Sequence, residues 1–158
     1  MFKIVIIIAV LLLLFAVYKM FAGNSQAAQQ NIQLGKDFLA ANAQAEGVQT
    51  TDSGLQYLLL QAGTGTTHPS ASDRVEVHYH GSMINGVVFD SSVERGQSIT
   101  FGLNQVIKGW TEGLQTMVVG EKKRLFIPSE LAYGNRGAGK IPPGSTLIFD
   151  VELIAINP

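Results

Sequence analysis

The chain has 158 residues, a formal net charge of −1 and no cysteine. That length fits one compact domain with an appendage. The lack of cysteine excludes a disulfide scaffold, a thiol oxidoreductase and a Cys-ligated metal site, and the dispersed basic residues provide no Lys/Arg stripe of the kind a nucleic-acid surface needs.

The first element is the unbroken apolar run Ile4–Val17, with Lys3 before it and Lys19 after it. A buried core helix is a poor reading, because the run starts at the chain terminus and has no polar face. Two readings remain. An uncleaved signal anchor would extend through Tyr18–Ala22, with Lys19 snorkelling to the interface. A cleaved signal peptide would end at the small residues of Ser25–Gln26–Ala27, before Ala28. The clean run is shorter than the ~20 residues that a spanning helix prefers. The anchor is the preferred expectation. It implies a transmembrane helix, membrane contact through residues 4–21, and an inner-membrane protein with its domain in the periplasm. The alternative is soluble periplasm after cleavage near Ala27. Residues 1–23 are therefore expected to be anchor or signal, 24–53 a polar tether and short linker helix, and 54–158 the folded domain.

Within the tether, Asn24–Gln30 is polar and Ala/Gln-rich. Residues Asn31–Glu46 place Ile32, Leu34, Phe38, Leu39, Ala41 and Ala45 at roughly helical spacing, and Gly47 supplies a stop. From Gly54 the pattern changes to strands. Leu55, Tyr57 and Leu59 alternate with Gln56, Leu58 and Leu60, so this strand is apolar on both faces. A Gly/Thr/Pro turn region over Gly63–Ala71 follows. Val75, Val77 and Tyr79 alternate with Glu76, His78 and His80, which predicts a half-buried strand with Tyr79 inward. Asn85–Gly86 signals a hairpin, with Val88 and Phe89 on the returning strand. Ser98–Phe101 is a further short strand. Trp110, Leu114 and Met117 predict one short amphipathic helix. Leu125 and Ile127 alternate ahead of Pro128, and Leu147, Phe149, Val151 and Leu153 alternate through the last strand. The fold class is α+β: a curved five- to six-stranded antiparallel sheet wrapped across one short helix, preceded by a hydrophobic helix and a short linker helix.

Few polar groups suggest acid–base or metal chemistry. His78 and His80 leave one face of a strand, but a zinc site needs a third and usually a fourth ligand. Asp73 and Glu76 complete no familiar spacing, so exposed strand histidines are the better reading. His68 lies in a turn with no evident partner. Lys122–Lys123–Arg124 reads as a solvated strand start. The glycines between Gly134 and Gly144 lack the Lys–Ser/Thr ending of a phosphate loop and read as a flap stiffened by Pro142–Pro143. Tyr79, Phe89, Phe101, Trp110, Tyr133 and Phe149 are each compatible with an ordinary core. Together, at strand ends and beside loops, they predict an apolar, aromatic-walled cleft.

Several ordered motifs carry a more specific signal. They are Val77–His78–Tyr79, Phe89–Asp90–Ser91–Ser92, Val106–Ile107–Lys108–Gly109–Trp110, Leu131–Ala132–Tyr133–Gly134, and Ile141–Pro142–Pro143 leading to Leu147–Leu153. From about Gly54 to Ile154 the chain resembles an FKBP-type peptidyl-prolyl cis-trans isomerase. It looks like an exported or membrane-anchored bacterial member related to the macrophage infectivity potentiator group. The resemblance implies catalysis of rotation about X–Pro bonds in exported proteins. The clients would be unfolded or flexible proline-containing polypeptides, and macrolides would be candidate inhibitors. It implies no cofactor, no metal and no nucleic-acid partner. A proline-peptide binding module or periplasmic chaperone with little turnover is the alternative. The long helical dimerisation region of the potentiator group is not evident in the sequence, so a monomer is expected.

By the same resemblance, Tyr79, Phe89, Asp90, Ile107, Trp110, Tyr133 and Phe149 are the catalytic positions, and Val106, Ile141 and Ile99 bind substrate. Arg95 and Phe101 support them. Trp110 would be the pocket floor, with Tyr79, Phe89 and Phe149 as walls. The Ile107 N–H would donate to a substrate carbonyl, with the Tyr133 hydroxyl as a second donor. Asp90 would be a polar wall that transfers no proton, and Arg95 would support that carboxylate and Tyr79. Ile99 stands where many relatives carry an aromatic residue, which lowers that wall. The flap holds Arg136 and Lys140.

Overall fold

The computed structural model describes residues 2–158, with side chains described from Leu12 onward. In chain order it forms α1 (Phe2–Asn42), β1 (Gln49–Thr50), β2 (Gln56–Gln61), β3 (Arg74–Met83), β4 (Val88–Ser91) and α2 (Ser92–Arg95). Then follow β5 (Ile99–Gly102), α3 (Lys108–Gln115), β6 (Lys122–Ile127) and β7 (Leu147–Ile156). The seven strands make one antiparallel sheet in the order β1-β2-β6-β7-β3-β4, with β5 also paired to β3. This is one strand more than the upper expectation, because the two-residue β1 carries too little sequence to signal itself.

Strict alternation builds the core. In β3, Val75, Val77 and Tyr79 turn inward, and in β7 Leu147, Phe149, Val151 and Leu153 do the same. The register sets Tyr79 opposite Val151 and Gly81 opposite Phe149, so the aromatic residues of the two strands gather at one end. Across the concave face lies α3, burying Gly109, Trp110, Gly113 and Leu114. It approaches β6 closely: a Cβ at Gly109 would stand 2.5 Å from Ile127 Cγ2, and one at Gly113 2.8 Å from Leu125 Cδ1. In β2 the outer Leu59 and Leu60 are exposed, so its apolar residues do not all enter a core.

The N-terminal segment differs from expectation. One helix, α1, runs through Asn24–Gln30, where the sequence predicts a tether, and ends at Asn42 rather than Glu46. Ala and Gln are strong helix formers, and docking adds to that preference. Phe38 meets Phe126 at 6.0 Å between ring centroids, Gln56 Nε2 donates to the Leu39 carbonyl at 2.8 Å, and Asn42 Nδ2 donates to Gln56 Oε1 at 2.8 Å. The side chains of residues 1–11, which include part of the expected anchor, lie outside the described residues. Among the described residues no helix is long and apolar enough to cross a membrane. That finding overturns the transmembrane helix, the membrane contact through residues 4–21 and the inner-membrane placement. The physical reason is length. At 1.5 Å per residue the uninterrupted apolar run Ile4–Val17 extends only about 21 Å, short of the ~30 Å hydrocarbon core, and the residues that would lengthen it include the charged Lys19 and lead into polar Asn24–Gln30.

Candidate functional site: an aromatic cleft

One open cleft of about 790 Å³ lies where α3, the end of β7 and the Gly134–Gly144 flap converge. Its size falls within the range of small-molecule and peptide pockets. Trp110 projects from the first turn of α3. Its ring meets Tyr79 at 5.2 Å and 74° and Phe149 at 5.1 Å and 80°, both edge-to-face. Phe89 stands edge-on to Phe149 at 5.4 Å and 86°. Such T-shaped contacts set a ring's positive edge against its neighbour's negative face, which fixes orientation as well as burying area. Gly81 makes this possible, since a Cβ there would stand 2.7 Å from Phe149 and 2.8 Å from Phe89. Trp110 is 6% exposed, and its buried indole N–H has no acceptor among the described residues.

The polar wall arises from a broken sheet edge. β4 and β5 pair with different halves of β3, and α2 fills the gap between them. Ser91 caps α2 by accepting from the Glu94 N–H, and Gly96 ends it in the left-handed conformation at φ 67°. This turn brings Arg95 back over Tyr79. The Tyr79 hydroxyl donates to Asp90, Arg95 Nη1 pairs with the same carboxylate, and Arg95 Nη2 donates to the Tyr79 hydroxyl at 2.9 Å. Burial opposes the charged form of Asp90, but the hydrogen bonds from Tyr79 and Arg95, with the Arg95 charge, outweigh it and hold the carboxyl below its usual range. Burial, followed by the bond to Asp90, pushes the Tyr79 phenol upward. The wall is thus a neutral phenol and an ion-paired carboxylate.

Of the residues singled out by sequence, Tyr79, Phe89, Asp90, Ile99, Val106, Ile107, Trp110, Tyr133, Ile141 and Phe149 line this cleft. Ile107 caps α3. Its carbonyl accepts from Trp110 and Thr111, while its N–H lies outside the helix's own bonding. Arg95 and Phe101 stand behind the wall: Phe101 packs on Trp110 at 5.4 Å. Gln105, Ala138, Gly139 and Lys140 also line the cleft. The sequence motifs mark Lys140 only as a flap residue and do not mark Gln105, Ala138 or Gly139. Their only signals were position before Val106 and membership of the flap.

The remaining polar candidates lie elsewhere. His78 and His80 direct Nδ1 to the hydroxyls of Ser92 and Ser91, each at 2.9 Å, and His68 Nδ1 contacts the Met117 carbonyl at 3.0 Å. Among the described residues no cluster of three or more His, Asp or Glu is arranged to hold a metal ion. The basic run is not simply solvated. Lys123 is buried over the Tyr57 ring at 4.5 Å and donates to the Thr116 carbonyl at 3.0 Å, and burial lowers its pKa. Arg124 forks onto Asp150 at 2.6 and 2.9 Å.

A curved antiparallel sheet closed over one short helix, with an aromatic cleft at its open end, defines an FKBP-like α+β fold. Residues 65–154 match the family described as FKBP-type peptidyl-prolyl cis-trans isomerase, and residues 11–59 match the domain amino terminal to it. The chain belongs to the FKBP-type peptidyl-prolyl cis-trans isomerase family, among bacterial relatives of the FkpA and Mip kind. It is 57% identical over 130 residues to an FKBP-type isomerase FkpA of Aeromonas hydrophila, covering 82% of this chain and 48% of that protein. It is 54% identical over 123 residues to the FKBP-type 22 kDa isomerase of Escherichia coli, covering 77% and 59%. The crystal structure of FkpA from Escherichia coli superposes with a TM-score of 0.88 at 43% identity, covering 96% of this chain and 72% of that one. The chain spans about half the length of the curated relatives it matches.

Proposed function

We propose that this cleft binds flexible proline-containing segments and accelerates rotation about the X–Pro bond. The observation that carries the reading is the set of aromatic rings around Trp110, bordered by one ion-paired carboxylate. Rotation needs no bond cleavage. The planar amide has a barrier of roughly 18–20 kcal/mol and exchanges over tens to hundreds of seconds unaided. Water favours the planar, polar amide over the twisted one. An apolar pocket removes that advantage, provided contacts elsewhere offset the desolvation. The proline ring rests on Trp110 between Tyr79, Phe89 and Phe149. The Ile107 N–H and the Tyr133 hydroxyl donate to substrate carbonyls, Val106, Ile141 and Ile99 flank the chain, and Asp90 orients Tyr79. A gain of ~4 kcal/mol in the twisted state gives about a thousandfold acceleration. Macrolides are proposed as ligands of the same cleft.

Binding with little turnover is a second reading. It is favoured by the aromatic rings around Trp110, which suit capture of a proline ring whether or not rotation is accelerated. A protease-free cis/trans exchange assay on a proline-centred peptide separates the two. Acceleration that saturates with peptide supports the isomerase. Saturable binding without acceleration leaves the binding module, and absence of both overturns the cleft assignment.

A finer reading is that this is an exported member of the family. The order of Lys3, the apolar run Ile4–Val17 and Ser25–Gln26–Ala27 suits an export signal. Sequencing of the protein from the exported fraction should find a new N-terminus near Ala28. Retention of full-length protein in the cytoplasm would overturn this.

A further inference from the structure

We infer that α1 positions the flap that roofs the cleft, and that Asn31 is the positioning residue through which it acts. The inference rests on the reading of that cleft as the proline site. Asn31 Nδ2 donates to the carbonyl of Pro143 at 2.8 Å, a bond between residues 112 positions apart. On one side of it the chain runs through Ile141, which is 8% exposed, to Lys140, Gly139 and Ala138 in the cleft. On the other side it enters β7.

The flap has little freedom to absorb a shift at Pro143. Ala138 and Ile141 exchange backbone hydrogen bonds at 3.0 and 2.8 Å, the Gly144 N–H donates to the Gly134 carbonyl at 2.8 Å, and the Ser145 hydroxyl donates to the Pro142 carbonyl at 2.7 Å. The helix lies against the base of this unit. Gly144 adopts φ +73°, and a Cβ there would stand 2.4 Å from the Ala28 carbonyl oxygen. Two turns further along α1, a Cβ at Gly35 would stand 2.1 Å from Thr146 Oγ1. Close approaches at Ala28 and Gly35, on either side of Asn31 along α1, leave Asn31 as the polar link that fixes the separation between helix and flap. Loss of the bond releases the flap without removing any residue from the cleft.

The flap touches a bound segment whether its amide is planar or twisted. Its displacement therefore weakens both states alike, which raises KM and leaves kcat. Global destabilisation behaves differently: it reduces the active fraction, so apparent kcat falls at constant KM. The full chain should be compared with Asn31→Asp, which keeps the size but turns an oxygen toward the carbonyl, and with Asn31→Ala. Gln33→Ala, on an exposed position of the same helix, serves as control. We expect KM for a proline peptide to rise about threefold to tenfold in both Asn31 variants. We expect kcat within about twofold of the parent and no change in Gln33→Ala. Amide hydrogen exchange needs no substrate, so it separates failure of this inference from failure of the isomerase reading. The amides of Ala138, Ile141 and Gly144 should exchange faster in the Asn31 variants, with those of β3 unchanged. If Asn31→Asp does not fold, Asn31→Ala with hydrogen exchange decides. Unchanged flap exchange, unchanged KM in an active protein, or a fall in kcat alone overturns the positioning role.

Discussion

Asp90 and Trp110 shape the cleft by different physics. Asp90 is part of a three-member polar unit with Tyr79 and Arg95, and both ends of its ion pair are about half exposed. Its worth therefore lies in orienting the Tyr79 ring rather than in stability. Asp90→Ala should lower kcat/KM about tenfold or more while thermal unfolding shifts little. Unchanged turnover in the folded variant removes Asp90 from the mechanism. The pH dependence follows from the signs. The Asp90 pKa is depressed in the folded state, so its contribution to stability is complete above its unfolded value of about 3.9. It is lost as pH falls through the lower folded value. The Tyr79 pKa is raised, so its contribution is complete below about 10 and is lost as pH rises through the higher folded value. Between these limits the wall does not change charge. Turnover should be flat from about pH 5 to about pH 9, and a limb near pH 6.5 in a rate profile would assign the chemistry to a histidine instead. Trp110, the only tryptophan, reports on the cleft directly. Its emission should change saturably with a proline peptide. Trp110→Leu should cost roughly 1–3 kcal/mol and weaken binding, because a flat platform is lost. Intact binding in the folded variant would remove Trp110 as the floor.

At the scale of elements, α3 shows how packing reverses a local preference. Replacing glycine by alanine inside a helix ordinarily stabilises it by about 1 kcal/mol. Gly109, however, faces three atoms of the buried Ile127 side chain within 3.1 Å of an added Cβ. Gly109→Ala should therefore destabilise the protein by about 1–3 kcal/mol through overpacking. Because Trp110 is the next residue, it should also shift tryptophan emission. Denaturant unfolding followed by that emission checks both, and a stabilised variant would mean that α3 stands further from β6. Ile107 joins this element to the cleft, since the residue that caps the helix also lines the cleft.

In the molecule as a whole, long-range pairing dominates. The central strands β3 and β7 pair over nine registered positions, yet some sixty residues of chain separate them. Closing that loop must precede the contacts that reward it. Refolding followed by Trp110 emission should therefore run in milliseconds to seconds, and a microsecond main phase would contradict this ordering. Outside the sheet, α1 extends the same structure. Its C-terminal half contacts β2, β6 and the chain entering β7, so the helix and the sheet share one packed surface.

The sequence alone determined what depends on neighbours a few residues apart. Alternation placed Val75, Val77 and Tyr79 on the inner face of β3 and Leu147–Leu153 along β7. Helical spacing set Trp110 and Leu114 together, and the ordered motifs pointed to the family and to ten lining residues of the cleft. Tertiary structure alone decided matters that depend on surfaces far apart in the chain. The docking of α1 through Phe38 and Asn42 is set by Phe126 and Gln56, which the residues of the helix do not specify. Lys123 was buried against Tyr57, a charge that local patterning assigns to solvent. Gln105 and residues 138–140 were drawn into the cleft because the loops that bear them fold over α3. Periodicity records which face of an element is apolar. It does not record which partner covers that face, since the partner's position is set by loop closure and packing rather than by the residues of the element itself.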